Sequence, residues 1–209
     1  IVKRAELELL KLADEKPGDA RVHNFISAFY RSIGAMPQAR EQAAIAASLS
    51  PEKPSLLAEQ AIVELQDNKV EAAAGFLKKA YELEDRNIQV RVLYAATLMQ
   101  LGQFDQATEI IGEAHKDAFA MNDYALSVTE ATGEFVYLSE LFEIRVAKQP
   151  NNAQHRASLA FIYHQLGEKD KAIAVLNAAA EAVPEFAQRA QCYAANLEAG
   201  NEPGEGCDE

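Results

Sequence analysis

The sequence predicts an all-α protein, a solenoid of antiparallel helix hairpins. Three observations carry this: a period of 34 residues, apolar residues recurring at three and four inside each period, and glycine or asparagine at fixed places between helices. The period shows first in the prolines. Pro17 and Pro51 stand 34 apart, as do Pro150 and Pro184, and the 99 residues from Pro51 to Pro150 are three periods less three residues. A second column runs Ala5, Ala39, Ala73, Ala107, Leu138 and Ala172. A third runs Ser27, Ala61, Ala95, Leu126, Ala160 and Ala194. Both contain the same single shortened interval of 31. Alanine is abundant here, so one column would carry little weight. Three columns sharing one period and one deletion mark an internal repeat.

The helical spacing places first helices at 21–33, 55–67, 88–101 and 153–166, and second helices at 37–49, 70–83, 104–116 and 169–182. Gly34, Gly102, Gly133 and Gly167 fall just past first helices, where a left-handed residue ends a helix at least cost; Asn68 holds that place in the second repeat. Pro51 and Pro184 follow second helices and stop them. Alanine at the crossing of two antiparallel helices lets their backbones approach. A hairpin cannot bury its apolar face alone, so neighbours stack and share a core.

The repeats divide the chain into 20–53, 54–87, 88–118, 119–152 and 153–186, within a solenoid over 1–199. Residues 1–17, with Ala5, Leu9 and Leu12 in second-helix columns, read as the second half of a truncated repeat, and more chain is expected upstream of Ile1. Residues 187–199 read as a lone capping helix, and 200–209 as a disordered acidic tail. The repeat at 119–152 is degenerate: Leu138, Phe142 and Arg145 stand where the other second helices carry small or apolar residues, and the deletion lies between Ala114 and Leu126. Bulk at that crossing is expected to splay the hairpin, with Asn122-Asp123 capping a late-starting helix.

Composition narrows the function. Twenty basic against 32 acidic residues give a net charge of −12, the wrong balance for binding phosphate backbones, so nucleic acid is not an expected partner. No stretch approaches the roughly 20 apolar residues of a membrane span, so these residues are not expected to insert in a bilayer. Cys192 and Cys207 would staple the tail in an oxidising compartment, and the sequence leaves their pairing and the compartment open. His23, His115, His155 and His164 include no pair at the spacing of a helical zinc motif, and no Cys-x-x-Cys, phosphate loop or nucleophile elbow occurs. No cofactor, no metal and no catalytic residue is expected.

Leu159-Ala160, Tyr163, Leu166-Gly167, Ala172, Leu176, Ala179 and Pro184 resemble a tetratricopeptide (TPR) repeat. Residues 88–118 repeat the pattern with Tyr94-Ala95, Gly102, Phe104, Ala107 and Ala114, and residues 20–53 with Tyr30, Gly34, Ala39, Ala46 and Pro51. The resemblance implies a right-handed superhelix whose first helices line a concave groove for a protein or peptide ligand. Carried over position by position, the groove is Arg21, Asn24, Arg31, Ala58, Ile62, Leu65, Val92, Ala96, Met99, Phe161 and His164, with Gln154, Ala157 and Glu130 among their neighbours. Ile62, Leu65, Val92 and Met99 form an apolar stripe, which either receives a peptide or is buried where neighbouring first helices meet. The clamp by which chaperone-binding members of the family hold a terminal carboxylate is not matched at Asn24, Ala28, Ala58 and Glu59.

A second resemblance concerns Glu140-Leu141-Phe142-Glu143-Ile144-Arg145-Val146, Pro150-Asn151-Asn152-Ala153-Gln154 and Ala199-Gly200-Asn201-Glu202-Pro203. These are similar to repeat tails that follow the membrane part of bacterial O-antigen ligase or polymerase-type proteins. That implies an extracytoplasmic, non-catalytic region of a glycan enzyme with a membrane-embedded upstream domain; without it the chain reads as a cytoplasmic scaffold.

Overall fold

The computed structural model describes residues 2–207, and the chain divides into two compact units between Ile110 and Ile111. Among the described residues there are twelve α-helices, one short 3-10 turn and no strand. The fold is the all-α solenoid expected, built from helix hairpins of the tetratricopeptide type. The disordered tail expected over 200–209 is instead described through Cys207, in turns tied to Cys192 by a disulfide; its last two residues, Asp208 and Glu209, lie outside the described residues, as does Ile1.

Unit 1 contains α1 (Val2–Glu15), α2 (Ala20–Ser32), α3 (Met36–Leu49), α4 (Pro54–Gln66), α5 (Val70–Leu83), α6 (Ile88–Gln100) and the start of α7 (Phe104–Ala120). Helices α2 and α3 pack as one hairpin and α4 and α5 as the next, with α3 against α4 and α5 against α6. Each first helix also touches the first helix of the next repeat, α2 on α4 and α4 on α6, which is the contact pattern of a stack. The reason is the small-residue columns. Ala39, Ala73, Ala107, Ala61 and Ala95 have no exposed surface, so each sits where two helix backbones approach. Ser27, in the same column as Ala61, is equally buried, and its hydroxyl finds no hydrogen-bond partner.

The turns follow from backbone chemistry. Gly34, Gly102, Gly133 and Gly167 have φ between 74° and 76°, and Asn68 takes φ 56° in the corresponding turn. This left-handed residue lets the next amide reach back over the helix end: Ala35 to the Tyr30 carbonyl, Lys69 to Glu64, Gln103 to Leu98 and Glu168 to Tyr163, at 2.8–2.9 Å. Helix starts are capped by Asp19, Asn87, Asn122 and Asn152, whose side chains accept backbone amides, while α4 begins on Pro54.

Helix α7 departs from the pattern. The expected second helix over 104–116 continues to Ala120, but Gly112 breaks it with φ 52° and ψ 174°. The break re-phases the helix, so Ala114 turns to solvent while Phe119 and Ala120 are buried. A broken helix frees backbone carbonyls, and Arg91 of α6 donates to that of Ile110 in unit 1.

Unit 2 holds α8 (Asp123–Thr132), α9 (Phe135–Lys148), α10 (Ala153–Gln165), α11 (Lys169–Ala182), the 3-10 turn Pro184–Phe186 and α12 (Ala187–Ala199). Asn122 does cap the late-starting α8, accepting the Ala125 amide at 2.9 Å. Helices α10 and α11 form a regular hairpin with α12 laid against α11, over a core that includes Tyr163, Leu176, Ala190 and Leu197. Helices α8 and α9 pack over less of their length. There Leu126 and Leu138 replace alanine, and Arg145 is buried in the column of Ala46, Ala80 and Ala179.

Candidate functional site

The first helices separate the groove residues expected from sequence into three groups. Val92, Ala96, Met99 and Ala58 are buried, at 5% exposure or less, so they offer a ligand almost no surface. For Val92 and Met99 the apolar stripe is therefore core: position in the repeat fixes which way a side chain points, and close packing covers it. Ile62 and Leu65 are half-buried and remain partly accessible. The polar residues already have partners in part. Arg21 is exposed and pairs with Asp19 at 2.8 Å, and its guanidinium holds the Asp19 carboxyl at about 2. Arg31 is half-buried and pairs with Glu59 at 3.2 Å. Asn24 is half-buried, with a buried Oδ1 that has no partner.

In unit 2 the geometry is different. Phe161 on α10 stands 48% exposed, a large apolar side chain facing solvent. It borders a cavity of about 460 Å³ whose floor includes Ala157, Ala160 and Ile162 of the same helix. Leu138 and Phe142 come from α9, Leu176 from α11, and Tyr193 and Leu197 from α12. Glu130 of α8 and Gln154 of α10, both at groove positions, reach its edge. The remaining side is Glu202, Pro203 and Gly204, from the segment after α12. His164, the last expected groove residue, faces Glu202 with Nε2 and the carboxylate 3.7 Å apart.

The tail residues are what sequence reasoning missed. A glycine-rich acidic ending reads as disorder, and the one signal against that reading was the pair Cys192 and Cys207, fifteen residues apart and bonded to each other.

A polar cluster links α8, α9 and α10, in which Arg145 is buried, His155 half-buried and Asp123 exposed. Arg145 Nε donates to the Ala120 carbonyl at 2.6 Å and Nη2 to Asp123 Oδ1 at 2.6 Å. Its Nη1 lies 3.3 Å from His155 Nε2. A guanidinium only donates, so Nε2 must offer a lone pair and the His155 proton sits on Nδ1. The hydrogen bond from Arg145 lowers the Asp123 pKa, and burial lowers that of His155, followed by the repulsion of Arg145. Among the described residues no group of three or more His, Cys, Asp or Glu is arranged to hold a metal ion, and no helix is long and apolar enough to cross a membrane.

Comparison with known proteins places this arrangement. Residues 64–125 and 156–186 each match a family model described as tetratricopeptide repeat. No curated protein matches the sequence. Among solved structures, a tetratricopeptide repeat protein from Parabacteroides merdae aligns over 95% of this chain and 86% of its own, with 12% identity and a TM-score of 0.65. The pilF protein of Pseudomonas aeruginosa aligns over 86% of this chain and 84% of its own, at 15% identity and TM-score 0.62. YrrB, a TPR protein with an unusual peptide-binding site, aligns over 84% and 92%, at 16% identity and TM-score 0.54. At these identities the structural likeness speaks to the fold, and the matched models place tetratricopeptide repeats at residues 64–125 and 156–186.

Proposed function

We propose that the chain is a non-catalytic scaffold that holds a protein or peptide segment against its first helices, with the cavity of unit 2 as the main contact. The observation that carries this is Phe161. A half-exposed phenylalanine at the mouth of an apolar-floored cavity is costly to leave in water and gains by covering. A volume of about 460 Å³ lies within the roughly 300–1,000 Å³ range of ligand sites. The structural likeness to YrrB, itself a peptide-binding TPR protein, fits the reading.

A peptide array probed with the wild-type chain and with Phe161→Glu tests it. Binding should be lost in the variant while its melting temperature stays near that of the parent, because Phe161 is at the surface. Full binding by the variant would move the contact elsewhere. Ile62 and Leu65 are the corresponding probes in unit 1; Met99 is too buried to serve, since a charge there would unfold the hairpin.

One observation favours the second reading, in which the chain is the extracytoplasmic repeat region of a membrane-bound O-antigen ligase or polymerase-type enzyme. The Cys192–Cys207 disulfide suits an oxidising compartment. The gene sequence upstream of Ile1 distinguishes the two: a series of apolar spans supports the membrane enzyme, and a further run of repeats or an immediate start codon removes it.

A further inference from the structure

We infer that the C-terminal tail is a functional wall of the unit 2 cavity, kept in place by the Cys192–Cys207 disulfide, and that the site so built selects a peptide with a bulky apolar side chain beside lysine or arginine. The inference rests on the peptide-binding reading above and names its partner class and its control.

The tail is fastened twice. The chain leaves α12 through Gly200 at φ 81° and turns back, and Asn196 of α12 donates its side-chain amide to the carbonyls of Pro203 at 3.1 Å and Glu205 at 2.7 Å. The disulfide from Cys207 to Cys192, on the same helix, fixes the far end. The residues that complete the cavity, Glu202, Pro203 and Gly204, lie in the stretch so secured. Without the disulfide, the amide of Asn196 and the His164–Glu202 contact would have to hold the wall, and the latter, with its carboxylate in solvent, holds weakly.

The tail shapes the site without filling it, because the cavity of about 460 Å³ is what remains with the tail in place. Its charged lining residues are Glu130 from α8 and Glu202 from the tail, both exposed carboxylates, and no lysine or arginine lines it. An apolar floor between two carboxylates complements a hydrophobic side chain next to a cation and repels an acidic neighbour. The net charge of −12 draws such a segment in from a distance. Control by redox state follows. A dithiol reductant delivers two electrons and two protons to the disulfide, leaving two thiols on the chain and a disulfide on the reductant, and the wall loses its far fastening.

The test uses two fluorescein-labelled nonapeptides that share a central Phe-Leu pair and carry either lysines or glutamates on both sides, read by anisotropy with the oxidised chain. The lysine peptide should bind at least about tenfold more tightly. Glu130→Gln/Glu202→Gln should cut that preference to about threefold or less, since each exposed charge contributes little alone. Cys192→Ser/Cys207→Ser, and separately the wild type in dithiothreitol, should each bind the lysine peptide about tenfold more weakly. Equal affinity for the two peptides, no binding of either by the oxidised wild type, or undiminished binding after reduction would each overturn the inference. Phe161→Glu separates it from the broader reading. If that variant loses the lysine peptide while the reduced chain keeps it, peptide binding stands and the tail has no part in it. If Phe161→Glu binds as the parent does, both fall.

Discussion

The hairpins α4–α5 and α8–α9 follow one repeat scheme and solve their helix crossings in opposite ways. In α4–α5 the crossing positions are Ala61, Ala73 and Ala80, all without exposed surface. In α8–α9 the same columns hold Leu126, Leu138 and Arg145. The leucines fill space that close backbone approach would have removed. Arg145 can be buried because its partners come with it: the Ala120 carbonyl at the end of α7, the Asp123 carboxylate at the start of α8 and the His155 lone pair on α10. The lesson is that a charge is tolerated at a crossing only as a member of a set.

The largest test of that contrast transplants the arginine. Ala80→Arg places a guanidinium where no such set exists and should destabilise α4–α5 by about 3–5 kcal/mol, or prevent folding, in chemical denaturation. The reverse change, Arg145→Met, keeps the volume and removes the donors. It leaves the buried Ala120 carbonyl unpaired and should cost about 2–3 kcal/mol, seen as faster hydrogen exchange in α8 and α9 with unit 1 unchanged. Gly102→Ala meets no neighbour within 4 Å, so its cost is the left-handed backbone alone, about 1–2 kcal/mol. Ser27→Ala should stabilise unit 1 by up to about 1 kcal/mol, because it removes a buried hydroxyl with no partner and leaves the residue its repeat column prefers.

The smallest effect is on pH dependence. Asp123 has a folded pKa below its ordinary value, so its contribution is present above the unfolded carboxylate pKa and lost as pH falls through the lower folded one. His155 is also lowered; its neutral form suits the fold, and its contribution is present above about 6.5 and lost as pH falls through the depressed value. Both act in one direction. The melting temperature should drop as pH falls below about 6.5 through His155 and again below about 3.8 through Asp123, and drop less in Asp123→Asn/His155→Gln than in the wild type.

The fold was legible because the repeat needs small residues at fixed intervals: Ala39, Ala73 and Ala107 are each fully buried, and Asn68 takes the left-handed turn that glycine takes elsewhere. The break at Gly112 was not legible. A glycine inside an otherwise helical pattern reads as a tolerated weak point, and only the conformation shows that it rotates Ala114 into solvent. Of the residues that repeat position assigned to the groove, Phe161 and Glu130 line a cavity, but the depth at which Val92, Ala96 and Met99 sit depends on what covers them. The tail was hidden for a third reason: its composition is that of disordered segments, and its order comes from the Cys192–Cys207 disulfide together with the Asn196 amide.

Hydrogen–deuterium exchange on the oxidised chain, with and without the tightest peptide from the array, tests the account most directly. Added protection should fall on α10 and on residues 202–204, with α5 unchanged. Protection on α5 in unit 1, with α10 exchanging as in the free chain, would contradict it.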